Sequence, residues 1–227
     1  MAEDPARGQL PLALALQDHA VFETFRAPGD GALAAVARDP APPGLWVAGP
    51  PGSGKSHLLQ AICAHRQERR CAYVPLASAP APEMLEGLEA LDLVCLDDLD
   101  RVVGEERWER ALFRVVNGLS LAGGRLVVAA AGPPAELGIR LPDLVSRCQA
   151  LALFRLRYLD DEERLEALRA RARFRGFDLP ADTARYLLRR VPRDMERLTA
   201  LLDRLDTASL AASRRLTIPF VREVLGT

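Results

Sequence analysis

The stretch Gly49-Pro50-Pro51-Gly52-Ser53-Gly54-Lys55-Ser56 has the spacing G-x-x-x-x-G-K-[ST], and its reading decides the fold. The glycines let backbone N–H groups curl around phosphate oxygens, and a helix opening here adds the positive end of its dipole. Lys55 is then placed to neutralise the β- and γ-phosphates, and Ser56 to ligate Mg2+. The motif also needs a strand before it and a helix after it. Leu45-Trp46-Val47-Ala48 reads as a buried strand, and His57 to Arg69 as an amphipathic helix. Lys55 is the sole lysine among 30 Lys and Arg residues. A compact ammonium reaches between phosphates where a planar guanidinium does not, so its retention here supports a phosphate loop.

Working outward, strands and helices alternate. Cys71 to Leu76 reads as a second strand, and Pro82 to Leu91 as a helix opening with proline. Leu93 to Leu96 is a third strand, Glu105 to Ser120 a helix, and Arg125 to Ala130 a fourth strand. A short element around Pro142 to Cys148 precedes a fifth strand, Ala150 to Phe154. This pattern predicts an α/β fold with a parallel sheet flanked by helices. Upstream, the turn-rich Ala27 to Gly31 leads into a short helical pattern through Ala37, which Asp39 to Gly44 breaks.

Beyond Arg157 the strands stop. The acidic run Asp160 to Glu163 suits the first turn of a helix that runs to Arg175 and ends at Gly176. Further helices are predicted from Pro180, from Arg193 to about Ala211, and from Ile218-Pro219. The expected organisation is a flexible tail over residues 1–17, a nucleotide-binding α/β domain over 18–156, and a small all-helical domain over 157–227.

Composition narrows the function classes. With 49% hydrophobic and 27% charged residues in a chain of 227, a sizeable core forms without disulfides or metals. The net charge of −1 supplies no basic field for strong DNA binding by this chain alone. Cys63, Cys71, Cys95 and Cys148 are scattered without metal-ligand spacing, and read as small buried hydrophobes in a reducing compartment. The N-terminus has no apolar signal region and no stretch is long enough to span a membrane, so a cytoplasmic protein is expected.

A nucleotide site needs a carboxylate at the end of a neighbouring strand. Leu93-Val94-Cys95-Leu96-Asp97-Asp98 is four apolar residues followed by two acids, the Walker B form. Asp97 would hold Mg2+ through water, and Asp98 would orient or deprotonate the attacking water. The alternative is that Asp98 and Asp100 cap the next turn.

Several stretches together resemble the DnaA family of AAA+ proteins. Gly54-Lys55-Ser56-His57-Leu58-Leu59-Gln60-Ala61-Ile62 looks like that family's P-loop helix, which brings His57 into the nucleotide-binding set. Phe22-Glu23-Thr24-Phe25 with Pro28-Gly29-Asp30 is similar to the segment that leads into its AAA+ domain. Leu141 to Arg147 resembles its box VII, and Val191-Pro192-Arg193-Asp194-Met195-Glu196 its sensor II helix. The similarity runs from about residue 18 to the C-terminus. It implies an AAA+ parallel sheet with a helical lid, and ADP or ATP with Mg2+ as cofactors. Neither a DNA-binding helix-turn-helix domain nor a helicase-binding domain is expected, a layout like that of the Hda-type regulators, which inactivate the initiator DnaA after replication begins.

The resemblance also implies partners. Gln9-Leu10-Pro11-Leu12-Ala13-Leu14 looks like the peptide with which such regulators dock on the β sliding clamp. Gln9 would fix register while Leu10, Leu12 and Leu14 fill an apolar groove. DNA would then be reached indirectly, through the loaded clamp. By analogy Arg147 is an arginine finger offered in trans to ATP on DnaA, and Arg193 reaches nucleotide phosphates in cis. Such a finger implies a head-to-tail contact, which also allows copies of this chain to associate. One departure stands out. Where relatives carry a polar sensor I residue, this chain has Ala129-Ala130-Ala131-Gly132, which disfavours efficient hydrolysis in cis and leaves weak ATPase activity open. Two alternatives remain. A helicase-loader-like AAA+ ATPase would leave the Gln9 motif without a role, and a small-molecule P-loop kinase would need Arg155, Arg157 and Arg169 to Arg173 around the phosphates.

Overall fold

The computed structural model describes residues 16–18, 20–26, 32–66, 70–190, 195–212 and 214–226. The clamp-like residues Gln9, Leu10, Leu12 and Leu14, the stretch 28–30 and Arg193 lie outside the described residues.

Five parallel strands form the sheet: β1 (Gly44–Ala48), β2 (Cys71–Pro75), β3 (Leu93–Asp97), β4 (Arg125–Ala130) and β5 (Ala152–Arg155). Their order is β2-β3-β4-β1-β5, so β4 separates the strand before the phosphate loop from the strand ending in Asp97. All of β1 and β3 is buried, which explains their unbroken apolar runs: helices cover both faces.

Strand alternation sorts the core into two layers. Leu45, Val47, Leu93, Cys95, Val127 and Ala129 pack with Leu58, Leu59 and Ile62 of α2 (Lys55–His65). The short α1 (Ala32–Arg38) supplies Leu33 and Ala37 to the same layer. On the opposite face Trp46, Val94, Leu96 and Val128 meet Trp108, Leu112 and Val115 of α3 (Glu106–Ala122), together with Leu144 and Cys148 of α4 (Pro142–Gln149). Glu109 of α3 is 2% exposed, and its carboxylate accepts N–H bonds from Gly104, Arg140 and Leu141, fixing the path into α4.

After β5 the chain forms α5 (Asp161–Phe174), α6 (Ala181–Arg190), α7 (Met195–Ala212) and α8 (Ile218–Leu225). Leu168, Leu187, Leu202 and Phe220 centre a core of their own. Asp160 and Glu163 form a capping box that starts α5, as the acidic run predicts. Glu163 also takes a bidentate bond from Arg157, which therefore serves the helix start.

Three local expectations are corrected. The helix over Pro82 to Leu91 is two 3₁₀ turns, Pro82–Leu85 and Leu88–Ala90, because Gly87 between them has φ +82°. The fifth strand begins at Ala152 instead of Ala150, since the N–H groups of Ala150 and Leu151 bond back to Arg147 and Cys148 at the end of α4. Within the stretch assigned to the tail, Leu16 packs against the α2 layer and the Gln17 N–H donates to Gln60 Oε1 at 2.9 Å. Among the described residues no helix is long and apolar enough to cross a membrane.

Candidate nucleotide site

The loop leaves β1 at the carboxyl edge of the sheet, and its first N–H, on Gly49, donates to Ala130 O at 3.1 Å. Gly52 and Gly54 take φ values of +77° and +94°, turning the backbone so that its N–H groups form a nest at the start of α2. Lys55 is 7% exposed and spans the loop, donating to the carbonyls of Gly49 at 2.8 Å and Pro50 at 3.0 Å. Burial lowers its pKa, and Asp98, Asp97 and Asp100 partly offset that shift.

The Ser53 hydroxyl bears on the fit of a phosphate, and Gly49 on the packing of the loop beneath it. The Ser53 hydroxyl is buried without a hydrogen-bond partner among the described residues, an arrangement that is costly unless a ligand supplies one. A Cβ on Gly49 would lie 2.8 Å from that hydroxyl and from Leu156 O, so the floor of the loop admits no side chain. Ser56, one residue into α2, is exposed and available to a cation.

Asp97 closes β3 and is 1% exposed. Its Oδ1 accepts the Asp98 N–H at 3.0 Å and its Oδ2 accepts the Tyr73 hydroxyl at 2.8 Å. Asp98 has φ +54°, a left-handed conformation that few non-glycine residues adopt and that aspartate tolerates. Burial raises its pKa, the Asp97 and Asp100 charges add to the rise, and Lys55 offsets part of it. Asp100 accepts the Ala131 N–H at 2.9 Å, tying the turn after β3 to the end of β4. Asp98 precedes the 3₁₀ turn Leu99–Arg101 without a side-chain cap bond to it, and Asp100 bonds to the end of β4 instead, so neither side chain caps that turn.

At the sensor I position Ala129 and Ala130 are fully buried and Gly132 O accepts the Trp46 indole N–H at 2.9 Å. No side chain there can hydrogen-bond a phosphate or a water. His57 points to the lead-in segment: its Nε2 lies 3.2 Å from Val21 O and 3.1 Å from Thr24 Oγ1, and its ring packs on Phe25. It fixes residues 21–25 against the loop helix.

Arg147 is exposed on α4 and donates to Asn117 Oδ1 at 3.0 Å. It lines a cleft with Pro43, Leu126 and Leu151, at the edge of the sheet where β1 begins. The phosphate loop begins where β1 ends, and the strand's five residues set the two edges about 16 Å apart at ~3.3 Å per residue. Arg147 thus stands away from its own chain's phosphates.

Sequence reasoning missed two groupings. Tyr73 and Gln60, unremarkable alone, form a hydrogen-bonded chain to Asp97. Three of the scattered cysteines come near one another: Cys71 Sγ lies 3.0 Å from Cys63 Sγ, and Cys95 is buried on the neighbouring strand. Among the described residues no group of three or more His, Cys, Asp or Glu is arranged to hold a metal.

Comparison with known proteins agrees with this geometry. Residues 161–225 match the family model described as Hda, lid domain, and residues 45–121, from β1 through α3, match one described as RNA helicase. Among solved structures, domain III of the replication initiation protein DnaA from Thermotoga maritima superimposes with a TM-score of 0.74 at 22% identity, over 93% of this chain and 98% of that one. AMPPCP-bound DnaA from Aquifex aeolicus gives 0.67 at 23% identity, over 83% and 65%. The RuvB Holliday junction branch migration motor of T. maritima gives 0.62 at 18%, over 86% and 65%. With the phosphate loop at the end of β1, β4 inserted before the Asp97 strand and a C-terminal segment similar to the Hda lid, the chain has an AAA+ fold like that of DnaA domain III.

Proposed function

We propose that this chain is a regulator that inactivates the replication initiator DnaA by stimulating hydrolysis of DnaA-bound ATP, acting with the DNA-loaded β sliding clamp. One observation carries the reading: Arg147 is exposed and lines a cleft with Pro43, Leu126 and Leu151, where β1 begins, whereas its own phosphate loop lies where β1 ends. An arginine so placed is of use to a nucleotide held by a neighbour in a head-to-tail pair. The lid match and the DnaA-like fold support DnaA as that neighbour.

In this account the chain's own nucleotide, ADP or ATP, sets its conformation. Backbone N–H groups of residues 52–56 and the Lys55 ammonium bind the phosphates, and Arg193, in the lid assigned to residues 157–227, would reach them. Ser56 and, through water, Asp97 would hold Mg2+, which supplies charge neutralisation between the phosphates. Asp98 orients water for whatever slow turnover the chain carries, and the alanines at the end of β4 keep that turnover weak. Gln9, Leu10, Leu12 and Leu14 dock on the clamp, which brings the chain to DNA without a basic surface of its own. Arg147 meets the γ-phosphate on DnaA and neutralises charge as the phosphoryl group leaves.

The test is ATP-loaded DnaA mixed with clamp on primed DNA and increasing amounts of this chain. Phosphate release should rise with its concentration and fall when Gln9 and Leu12 are both changed to alanine. Unchanged release across the series, with turnover by the chain alone, would favour a loader-like ATPase.

A further inference from the structure

The hydroxyl of Tyr73 touches Asp97, the carboxylate expected to face Mg2+, and it does so at the end of a directional chain of hydrogen bonds. The chain begins at the backbone N–H of Gln17, which can only donate and pairs with Gln60 Oε1 at 2.9 Å. That contact fixes the amide of Gln60, which is 6% exposed, so that its NH2 faces Tyr73 Oη at 3.4 Å. Receiving that donor, the Tyr73 oxygen turns its own proton to Asp97 Oδ2 at 2.8 Å. The other carboxylate oxygen accepts the Asp98 N–H at 3.0 Å. Each oxygen thus has one donor from the protein and one lone pair left, and the plane of the carboxylate is set before any cation arrives.

We propose that Tyr73 is a positioning residue for the Mg2+-side carboxylate, with Gln60 and the backbone of Gln17 orienting its hydroxyl. The inference rests on the nucleotide-site reading and is independent of DnaA. A carboxylate 1% exposed cannot be oriented by bulk water, so the donors that touch it decide where its free lone pairs point. Partners of this kind change metal affinity by roughly 10–100-fold when removed. The register of the sheet makes the contact possible: Pro75 pairs with Asp97 and Tyr73 with Cys95, so Tyr73 stands one step along the same face. The chain of bonds also joins the site to Gln17, shortly after the stretch Gln9 to Leu14.

The test is binding of a fluorescent ADP analogue to the full chain, with Mg2+ and with EDTA, for wild type, Tyr73→Phe and Gln60→Leu. Tyr73→Phe keeps the ring and removes the one donor. Its affinity in EDTA should match wild type, while the gain brought by Mg2+ shrinks about tenfold. Gln60→Leu should shrink that gain in the same direction by a smaller factor, and it provides the readout if the tyrosine variant folds poorly. An undiminished Mg2+ gain in both variants, an equal loss with and without Mg2+, or a wild type that gains nothing from Mg2+ would each overturn the proposal. The assay contains neither DnaA nor clamp, so its failure leaves the regulatory reading standing, and a failed DnaA assay leaves this one standing.

Discussion

Lys55 is held by two carbonyls of the loop it must serve, and so is already in place at the phosphate cradle. Removing it as Lys55→Met costs a nucleotide its strongest charge-assisted contact, worth about 2 kcal/mol, or roughly thirtyfold in affinity. Calorimetric titration with ADP checks this; equal affinity for both forms would place the nucleotide elsewhere. The placement of Lys55, Ser56 and Asp97 near one loop was legible because each belongs to a local pattern that depends on spacing along the chain. Tyr73 and the cysteines were not, because what joins them is the β2–β3 register and the packing of α2 on β2, which no local spacing encodes. The cysteine grouping has its own consequence. The nearby Cys63 and then Cys95 thiols lower the Cys71 pKa, burial opposes them and Arg66 adds to the lowering, while Cys63 and Cys95 are pushed up. A depressed thiol pKa means the thiolate persists below pH ~8.5 and is lost only as pH falls through the lowered value. Iodoacetamide at pH 6 should therefore label Cys71 first, and Cys63→Ala should slow that labelling, as read by mass spectrometry. Uniform labelling of all four thiols would contradict it.

At the scale of elements, the strands and most helices follow from apolar runs and helical periods, and β4 matches its expected limits, Arg125 to Ala130. The misses lie where backbone geometry overrides side-chain pattern. Gly87 splits one expected helix, and the end of α4 takes two residues from the expected fifth strand. Glu109 illustrates an element-level bond that the sequence hides, since a glutamate in an amphipathic helix usually reads as solvated. Burial alone would raise its pKa, but the N–H groups of Arg140, Gly104 and Leu141 outweigh that and lower it. Its folded value lies below the unfolded one, near 4.3, so its contribution is full above that pH and is lost as pH falls through the folded value. Glu109→Gln should cost about 1–3 kcal/mol at pH 7, and the gap to wild type should narrow under more acidic conditions. Urea titrations at pH 7 and pH 4 measure it; a constant gap would show that the charge plays no part. The capping box gives a smaller effect. Asp160→Ala should cost about 1 kcal/mol of stability while leaving ADP affinity in place, because α5 starts outside the phosphate loop.

For the whole molecule, the parallel sheet puts two kinds of chemistry at opposite edges. The carboxyl edge carries the phosphate loop, Asp97 and Asp98; the other carries Arg147 beside Pro43 and Leu151. On the proposed reading, a head-to-tail neighbour brings the two edges together. Sequence motifs named both ends of the arrangement, but their separation needed the strand order and the position of α4 on the face away from α2. The central claim is that Arg147 works on a neighbour's nucleotide. Its most direct test is single-turnover hydrolysis of radiolabelled ATP on DnaA, in the presence of loaded clamp, driven by wild type or by Arg147→Ala. The account predicts that the variant folds, binds ADP and binds clamp as wild type does, yet loses most of the stimulation, on the order of 10³-fold where an arginine finger is fully engaged. Full stimulation by the alanine variant would contradict the account and move the catalytic contribution to another part of the molecule.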